Sequence, residues 1–400
     1  MTEPSRSRVA TTRSAGSSPR IGRVGLLAWL VVPVLVLSGL TQWQVHQVDQ
    51  GSAGAADPSA DVVPLARLSF GSVTRGGAIL FTVAQPVHVR SMAADGLVQW
   101  QRDLSDGDYV TCGPCPAAVI ARPDGSSRTV AGDGTEGPAP ALLGDHLVAT
   151  TSLVGVVLAA GRADGSVDFY TPTSAGLVPD GSASDAGLDR VLVVVTAADR
   201  GGAVTIMRTS ADPLRQGEFE VEHVTPTGTH TATVPLDATG SRPRPCAVAD
   251  AEIVAYVQLD PGPTADGTTH VVADRDGHRL VDARVPGTFD SCAVGPDGAV
   301  LSTTANGADG DLTRTRVDVA WVDLGGAVRA TATEQVVATS ASVALDAATG
   351  RVAIAGGPGP AVVVDPSARH ERPSALAAAF DDTGGIWWAQ SESHVTREDP

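Results

Sequence analysis

From Val62 onward the sequence is built of short Val-, Ala- and Leu-rich runs, each cut off after a few positions by Asp-Gly, Gly-Gly or Thr-Gly. Such dipeptides supply the positive φ values that tight hairpin turns need, and alternation on either side buries one face of each strand. No stretch in this region spaces its apolar residues for an amphipathic helix, so the pattern leaves antiparallel sheet as the building material. The beats also repeat. Ala94-Asp95-Gly96-Leu97-Val98-Gln99-Trp100 matches Ala163-Asp164-Gly165-Ser166-Val167-Asp168-Phe169 position by position. Cys292-Ala293-Val294-Gly295 echoes Cys246-Ala247-Val248-Ala249, and Leu345-Asp346-Ala347-Ala348-Thr349-Gly350 is matched, offset by one, at Phe380-Asp381-Asp382-Thr383-Gly384-Gly385. Strand-only repeats of about 40 residues predict propeller blades of four strands each, stacked around an axis. Residues 62–397 therefore predict an all-β fold, a β-propeller of about seven blades, with six to eight as the range. The strand-like Val62–Phe70 has no following partner in the pattern, while residues 385–397 supply part of a last blade, so the two are expected to pair in one sheet.

Two of these repeats carry a family likeness. Val89–Leu104, an apolar strand followed by Asp95-Gly96 and Trp100, resembles one repeat of the PQQ-like, broadly WD40-like β-propellers in a membrane-anchored bacterial form. Phe380-Asp-Asp-Thr-Gly-Gly-Ile-Trp-Trp-Ala389 is similar to the D-x-x-G-x-I-W blades of sensor-type propellers. The resemblance implies the propeller fold and an extracytoplasmic setting. It carries over no cofactor, because the other repeats lack the tryptophan and none shows a quinone or metal site.

Ahead of the repeats, Val24–Trp43 is a wholly uncharged run, and no charge occurs between Arg23 and Asp49. A helix of that length covers roughly 30 Å, one bilayer core, and Pro33 is tolerated there as it would not be in a soluble helix. Residues 1–23 are Ser-, Thr-, Arg- and Pro-rich and predict a disordered tail. Their five arginines, against acids alone just past the run, place the N-terminus in the cytoplasm and the remainder outside the cell membrane. A cleaved signal peptide is the rival reading; against it, the best small-residue site, Ala53-Gly54-Ala55-Ala56, lies well past the end of the run. Residues 44–61 are small and polar, a flexible stalk.

Charge narrows the partners. The chain carries −17 overall, and since the tail contributes +4, from five arginines against Glu3, the rest carries −21. A surface that negative repels phosphate backbones and excludes nucleic acid as an expected partner. Its plain role is a solvated acidic coat; its sharper one is attraction of a cationic partner. Aromatic residues are only 4%, so the core must be Val, Ala, Leu and Ile, which suits many short strands. Lysine is absent, and Asn306 is the single asparagine, a bias that fits a GC-rich genome.

The cysteines are Cys112, Cys115, Cys246 and Cys292, an even number in an exported domain and so two expected disulfides. Cys246 and Cys292 hold equivalent places in consecutive repeats, which suits a bridge between blades; pairing of either with Cys112 or Cys115 is the alternative. Cys112-Gly-Pro-Cys115 matches the thioredoxin tetrapeptide, but thiolate chemistry there needs a helix N-terminus, and Arg122-Pro-Asp-Gly stops any helix within two turns. A structural bridge is expected. CxxC alone is half a zinc site. Gly132-Asp-Gly-Thr-Glu-Gly137 fits G-x-G-x-x-G, yet Pro138 and Pro140 follow where a helix should start, so it is expected to be a turn. The acidic loops Asn306–Asp311 and Asp274–Gly277 lack the closing glutamate of a Ca²⁺ loop and are expected to be solvated turns. Trp387-Trp388 suits blade core with one ring exposed, where a sugar could stack.

No catalytic, cofactor-binding or metal-ligating constellation emerges. The leading expectation is a single-pass membrane protein holding a propeller outside the cell as an interaction or scaffold module for an envelope protein. A propeller that binds or processes a glycan or other small ligand is the alternative, and a thiol-disulfide oxidoreductase acting through Cys112 and Cys115 comes after it.

Overall fold

The computed structural model describes the strands between Leu68 and Glu398 together with many of their turns, and side chains mainly within 68–104 and 243–400. The tail, the apolar run 24–43, the stalk, residues 62–67 and the Cys112–Cys115 loop lie outside the described residues. Among those described none is helical, and no helix long and apolar enough to cross a membrane occurs.

The strands form eight sheets in chain order. The first comprises Leu68–Thr74, Gly77–Thr82, Val87–Ala93 and Val98–Leu104. Four-stranded sheets follow from Tyr109–Val110 to Glu136–Pro138, from His146–Thr151 to Gly176–Ala183, and from Arg190–Ala197 to His230–Pro235. The fifth holds Arg244–Pro245, Ile253–Asp260, Thr268–Arg275 and His278–Pro286. The sixth holds Ser291–Gly295, Gly298–Asn306, Thr315–Val322 and Val328–Val336, with the short Ala247–Val248 added parallel to Ser291–Gly295. The seventh runs Ser342–Leu345, Val352–Ala355, Ala361–Val364 and Arg369–Arg372; the eighth has three strands, Ala377–Phe380, Ile386–Ala389 and Val395–Glu398. Within each sheet consecutive strands pair antiparallel, so the architecture is all-β and propeller-like.

Strand composition follows position in the stack. The central strands Val352–Ala355, Ala361–Val364 and Ile386–Ala389 are buried at every residue, because a neighbouring sheet covers each face. That is why they are unbroken apolar runs. Outer strands such as Val98–Leu104 and Val328–Val336 alternate instead. Successive side chains point to opposite sheets: Ile354 packs with Trp321 and Val319 of the sixth sheet, whereas Ala353 and Ala355 pack with Trp388 and Ile386 of the eighth. Val and Ala dominate these interfaces since sheets about 10 Å apart leave room for small, branched side chains.

Each sheet meets the next along the chain, and the eighth meets the first. Trp387, Ala389 and Val395 share one core with Leu68, Val73, Leu80 and Met92. Across the same seam the buried Arg90 guanidinium donates to Glu392 at 2.8 Å, and also to Thr82 and Gln101. This corrects the expected closure. Leu68–Thr74 pairs with Gly77–Thr82 of its own sheet, and the two ends of the domain pack face to face instead of sharing hydrogen bonds. The expected uniform four-stranded blades are likewise corrected by the three-stranded eighth sheet and the five-stranded sixth.

Cys246 and Cys292 form a disulfide between the fifth and sixth sheets, 46 residues apart in sequence. The Ala249 amide donates to the Val294 carbonyl beside it, so covalent and hydrogen-bonded links coincide.

Candidate functional site

In a sheet of consecutive antiparallel strands, the first and third turns leave at one edge and the second turn at the other. The first-and-third-turn edge carries most of the aspartates noted in the sequence, and the structure gives each a local task. Asp95 Oδ1 accepts the Leu97 amide at 3.0 Å, Asp323 Oδ1 the Ala327 amide at 2.9 Å, and Asp346 Oδ1 the Ala348 amide at 3.0 Å. Asp365 Oδ1 takes the amides of Ser367 and Ala368 at 2.7 and 2.8 Å. Asp381 Oδ1 takes those of Thr383 and Gly385 at 2.8 and 2.9 Å. In each case the carboxylate replaces a missing backbone partner in the turn. The glycines that follow adopt left-handed backbone, with φ of 79° at Gly96, 83° at Gly326, 70° at Gly350 and 82° at Gly384.

Electrostatics agree with that role. Burial pushes the Asp381 carboxyl up, but bonds from the Thr383 hydroxyl, Arg397 and two backbone amides outweigh it and hold the group below its ordinary value. At Asp365 burial is likewise outweighed, by Ser367 and the Ser367 and Ala368 amides. These oxygens are occupied by the turn itself, and among the described residues no group of three metal-ligating side chains gathers.

The turns are also fastened to their neighbours. The Trp321 indole of the sixth sheet donates to the Gly350 carbonyl in the seventh at 2.6 Å. Arg351 of the seventh donates to the Gly384 carbonyl in the eighth, and Arg102 of the first to the Gly134 carbonyl in the second. Each of these carbonyls belongs to a left-handed glycine. The turns at Gly350 and Gly384 are thus anchored from within by Asp346 and Asp381 and from the side by the adjoining sheet.

On this rigid edge sit side chains that burial does not explain. Leu97 is 66% exposed, with Val98 at 41%, and Leu324 is 43% exposed, with Val328 at 42%. The first two flank the third turn of the first sheet and the others the third turn of the sixth. Val337, 44% exposed, lies at the opposite edge. A cleft lined by Trp321, Arg329, Asp297 and Thr349 opens between the sixth and seventh sheets, with a volume of ≈ 90 Å³. Small-molecule pockets usually measure about 300–1,000 Å³.

The sequence candidates distribute as follows. Cys246 and Cys292 are joined to each other, which removes their pairing with Cys112 or Cys115; the latter two lie outside the described residues. Trp387 and Trp388 are both buried, at 0% and 4% exposure, so the expected exposed ring is absent and no sugar platform exists there. Trp388 Nε1 instead donates to Glu398 at 3.2 Å. Gly134, in the G-x-G-x-x-G stretch, is a left-handed turn residue followed by the strand Glu136–Pro138. Asp274 is bonded to Arg279, and Asp311 to the Thr313 amide and hydroxyl. Sequence reasoning missed the Arg90–Glu392 contact, whose partners are 302 positions apart, and the indole bond of Trp321, for which the sequence offers no signal.

No protein-family model matches the chain, and no curated protein matches it. Solved structures do. The computationally designed Ika8 protein is similar over 84% of this chain and 96% of its own, at 15% identity and a TM-score of 0.48. Sqt1 of Saccharomyces cerevisiae is similar over 73% and 86%, at 12% identity and 0.39. The tricorn protease is similar over 80% of this chain but 36% of its own, at 10% identity and 0.48.

Proposed function

We propose that the chain is a protein-interaction module: its eight sheets close into a propeller, and a partner protein docks on the edge formed by the first and third turns. The carrying observation is the placement of Leu97, Val98, Leu324 and Val328, exposed apolar side chains at turns whose aspartates hold them from within. Exposed apolar residues on a pre-ordered frame bind at low entropic cost, since little is frozen on association. The cleft of ≈ 90 Å³ between the sixth and seventh sheets offers too little volume to favour a small-molecule substrate.

The same reading holds residues 62–397 outside the cell membrane on the stalk 44–61, anchored through 24–43 with residues 1–23 in the cytoplasm. Its support is the uncharged run and the arginine asymmetry around it. The partner is accordingly an envelope protein. Cys112 and Cys115 complete a second, structural disulfide.

Crosslinking in intact membranes, followed by affinity capture of the detergent-solubilised full chain, tests the docking edge. A stoichiometric partner should be recovered with the native chain and with Val337→Asp, and lost with Leu97→Asp/Leu324→Asp. Equal capture by all three overturns the choice of edge, and no partner from any overturns the reading. Protease added to intact spheroplasts should degrade the large domain; protection would overturn the orientation.

A further inference from the structure

Every sheet that ends in an outer strand exposes a row of backbone groups able to pair with another chain, and folded proteins guard such edges with charge, proline or shortness. Most outer strands here are guarded in that way. His278–Pro286 carries Arg279, Asp282 and Arg284 and ends in proline; Arg369–Arg372 is four residues of Arg-His-Glu-Arg. Glu136–Pro138 has three residues, Gly176–Ala183 is interrupted by Pro179, and His230–Pro235 ends in proline. Val328–Val336 is the longest without proline among those compared, nine residues of Val-Arg-Ala-Thr-Ala-Thr-Glu-Gln-Val, and of its two charges Glu334 is already bound by Arg369 of the seventh sheet at 2.9 Å. Among the described residues it has one strand neighbour, Thr315–Val322.

Its sequence is close to a palindrome about Ala332. Laid antiparallel on a second copy of itself, Val328 meets Val336, Arg329 meets Gln335, and Thr331 meets Thr333. Glu334 meets Ala330, so no charge faces its like. Cross-strand Thr–Thr pairs and the absence of opposed like charges are favourable in antiparallel sheets. Arg329, Thr331, Thr333 and Gln335 are exposed along one face, while Ala330 and Ala332 turn toward the seventh sheet. The geometry points to a two-fold dimer in which Val328–Val336 of one copy pairs antiparallel with Val328–Val336 of another, joining the sixth sheets of both into one. The contact is isologous, so it closes at two copies. It runs along the outer strand and shares Val328 with the docking edge proposed above, whereas Thr331 and Thr333, on which its test rests, lie outside that edge.

Native mass measurement of the full chain in detergent or lipid nanodiscs tests it. The native chain should show a two-copy mass, and Thr331→Lys/Thr333→Lys, which sets two lysine pairs face to face, should show a one-copy mass while still unfolding in one cooperative transition. Under oxidation Thr331→Cys/Thr333→Cys should yield a covalent dimer absent from the native chain. A one-copy native mass at the highest concentration reached overturns the dimer, as does a two-copy mass that survives both lysines. Should the lysine variant fail to fold, absence of the covalent dimer in the cysteine variant is decisive against it.

Discussion

Asp381 shows how much one side chain can hold in a turn. Its carboxylate has no exposed surface, one oxygen serving the Thr383 amide and hydroxyl and the Gly385 amide, the other accepting from Arg397 Nε at 2.7 Å. Asp381→Ala leaves Arg397, itself 11% exposed, and two amides without their acceptor. A loss of roughly 3–5 kcal/mol is expected from breaking a buried pair of this kind, measured as a lowered urea midpoint. Asp381→Asn, which keeps an acceptor, should lose less. Acid should act through the same groups. The Asp381, Asp282, Glu136 and Glu398 carboxyls are all held below their ordinary values; burial opposes the shift most strongly at Asp381, while bonds from His270, Arg102 and Arg372 lead at the other three. A carboxyl depressed in the folded state contributes stability above its unfolded pKa of about 4, and that contribution fades as pH falls through the folded value. The urea midpoint should therefore hold level from neutral pH down to the ordinary carboxylate range and drop below it. A midpoint that rises on acidification would contradict these contacts.

At the level of the element, the Cys246–Cys292 bridge closes a loop of 46 residues, worth roughly 4 kcal/mol in the loop-entropy picture. Cys246→Ser/Cys292→Ser should lower the unfolding free energy by about that much, and because both sulfurs are buried, thiol reagents should reach them in the native reduced protein only as fast as it opens. This bridge was readable in the sequence, since Cys246 and Cys292 sit in matching phrases, and so were the hairpins, since Asp-Gly and Gly-Gly fix left-handed turns at Gly96, Gly277 and Gly326. The repeat register was harder to see. Asp95-Gly96 marks the third turn of the first sheet, whereas the matching Asp164-Gly165 falls between the second and third strands of the third sheet. Turn chemistry reports that a chain reverses, not which reversal of a sheet it is, so the sequence yields a range of blade counts and not one number. The Trp387-Trp388 pair misled for a related reason: an alternating strand exposes one of two neighbours, but a strand covered on both faces buries both, and only the sheets on either side decide between these.

Across the whole molecule, the first and last sheets are joined by the core around Trp387 and Met92 and by the Arg90–Glu392 pair. Arg90→Leu removes three bonds from a buried guanidinium, and a loss of roughly 1.5–3 kcal/mol is expected. Urea unfolding followed by tryptophan fluorescence should still show one transition, shifted; a separate early transition confined to Trp387 and Trp388 would mean that the eighth sheet unfolds apart from the first. The part of the candidate site least legible in the sequence belongs to this scale too, because Leu97 and Leu324 are 227 positions apart by number and share an edge only once the sheets are stacked. The sulfur bridge between the fifth and sixth sheets has one more consequence, a mechanical one. A chain tethered at one end and pulled at the other cannot pay out the segment between Cys246 and Cys292, which are 46 positions apart, a hidden length of roughly 160 Å at full extension. Stretched in an optical trap, the oxidised protein should therefore come up short by that distance, and a reductant added to the extended chain should release it in a single step.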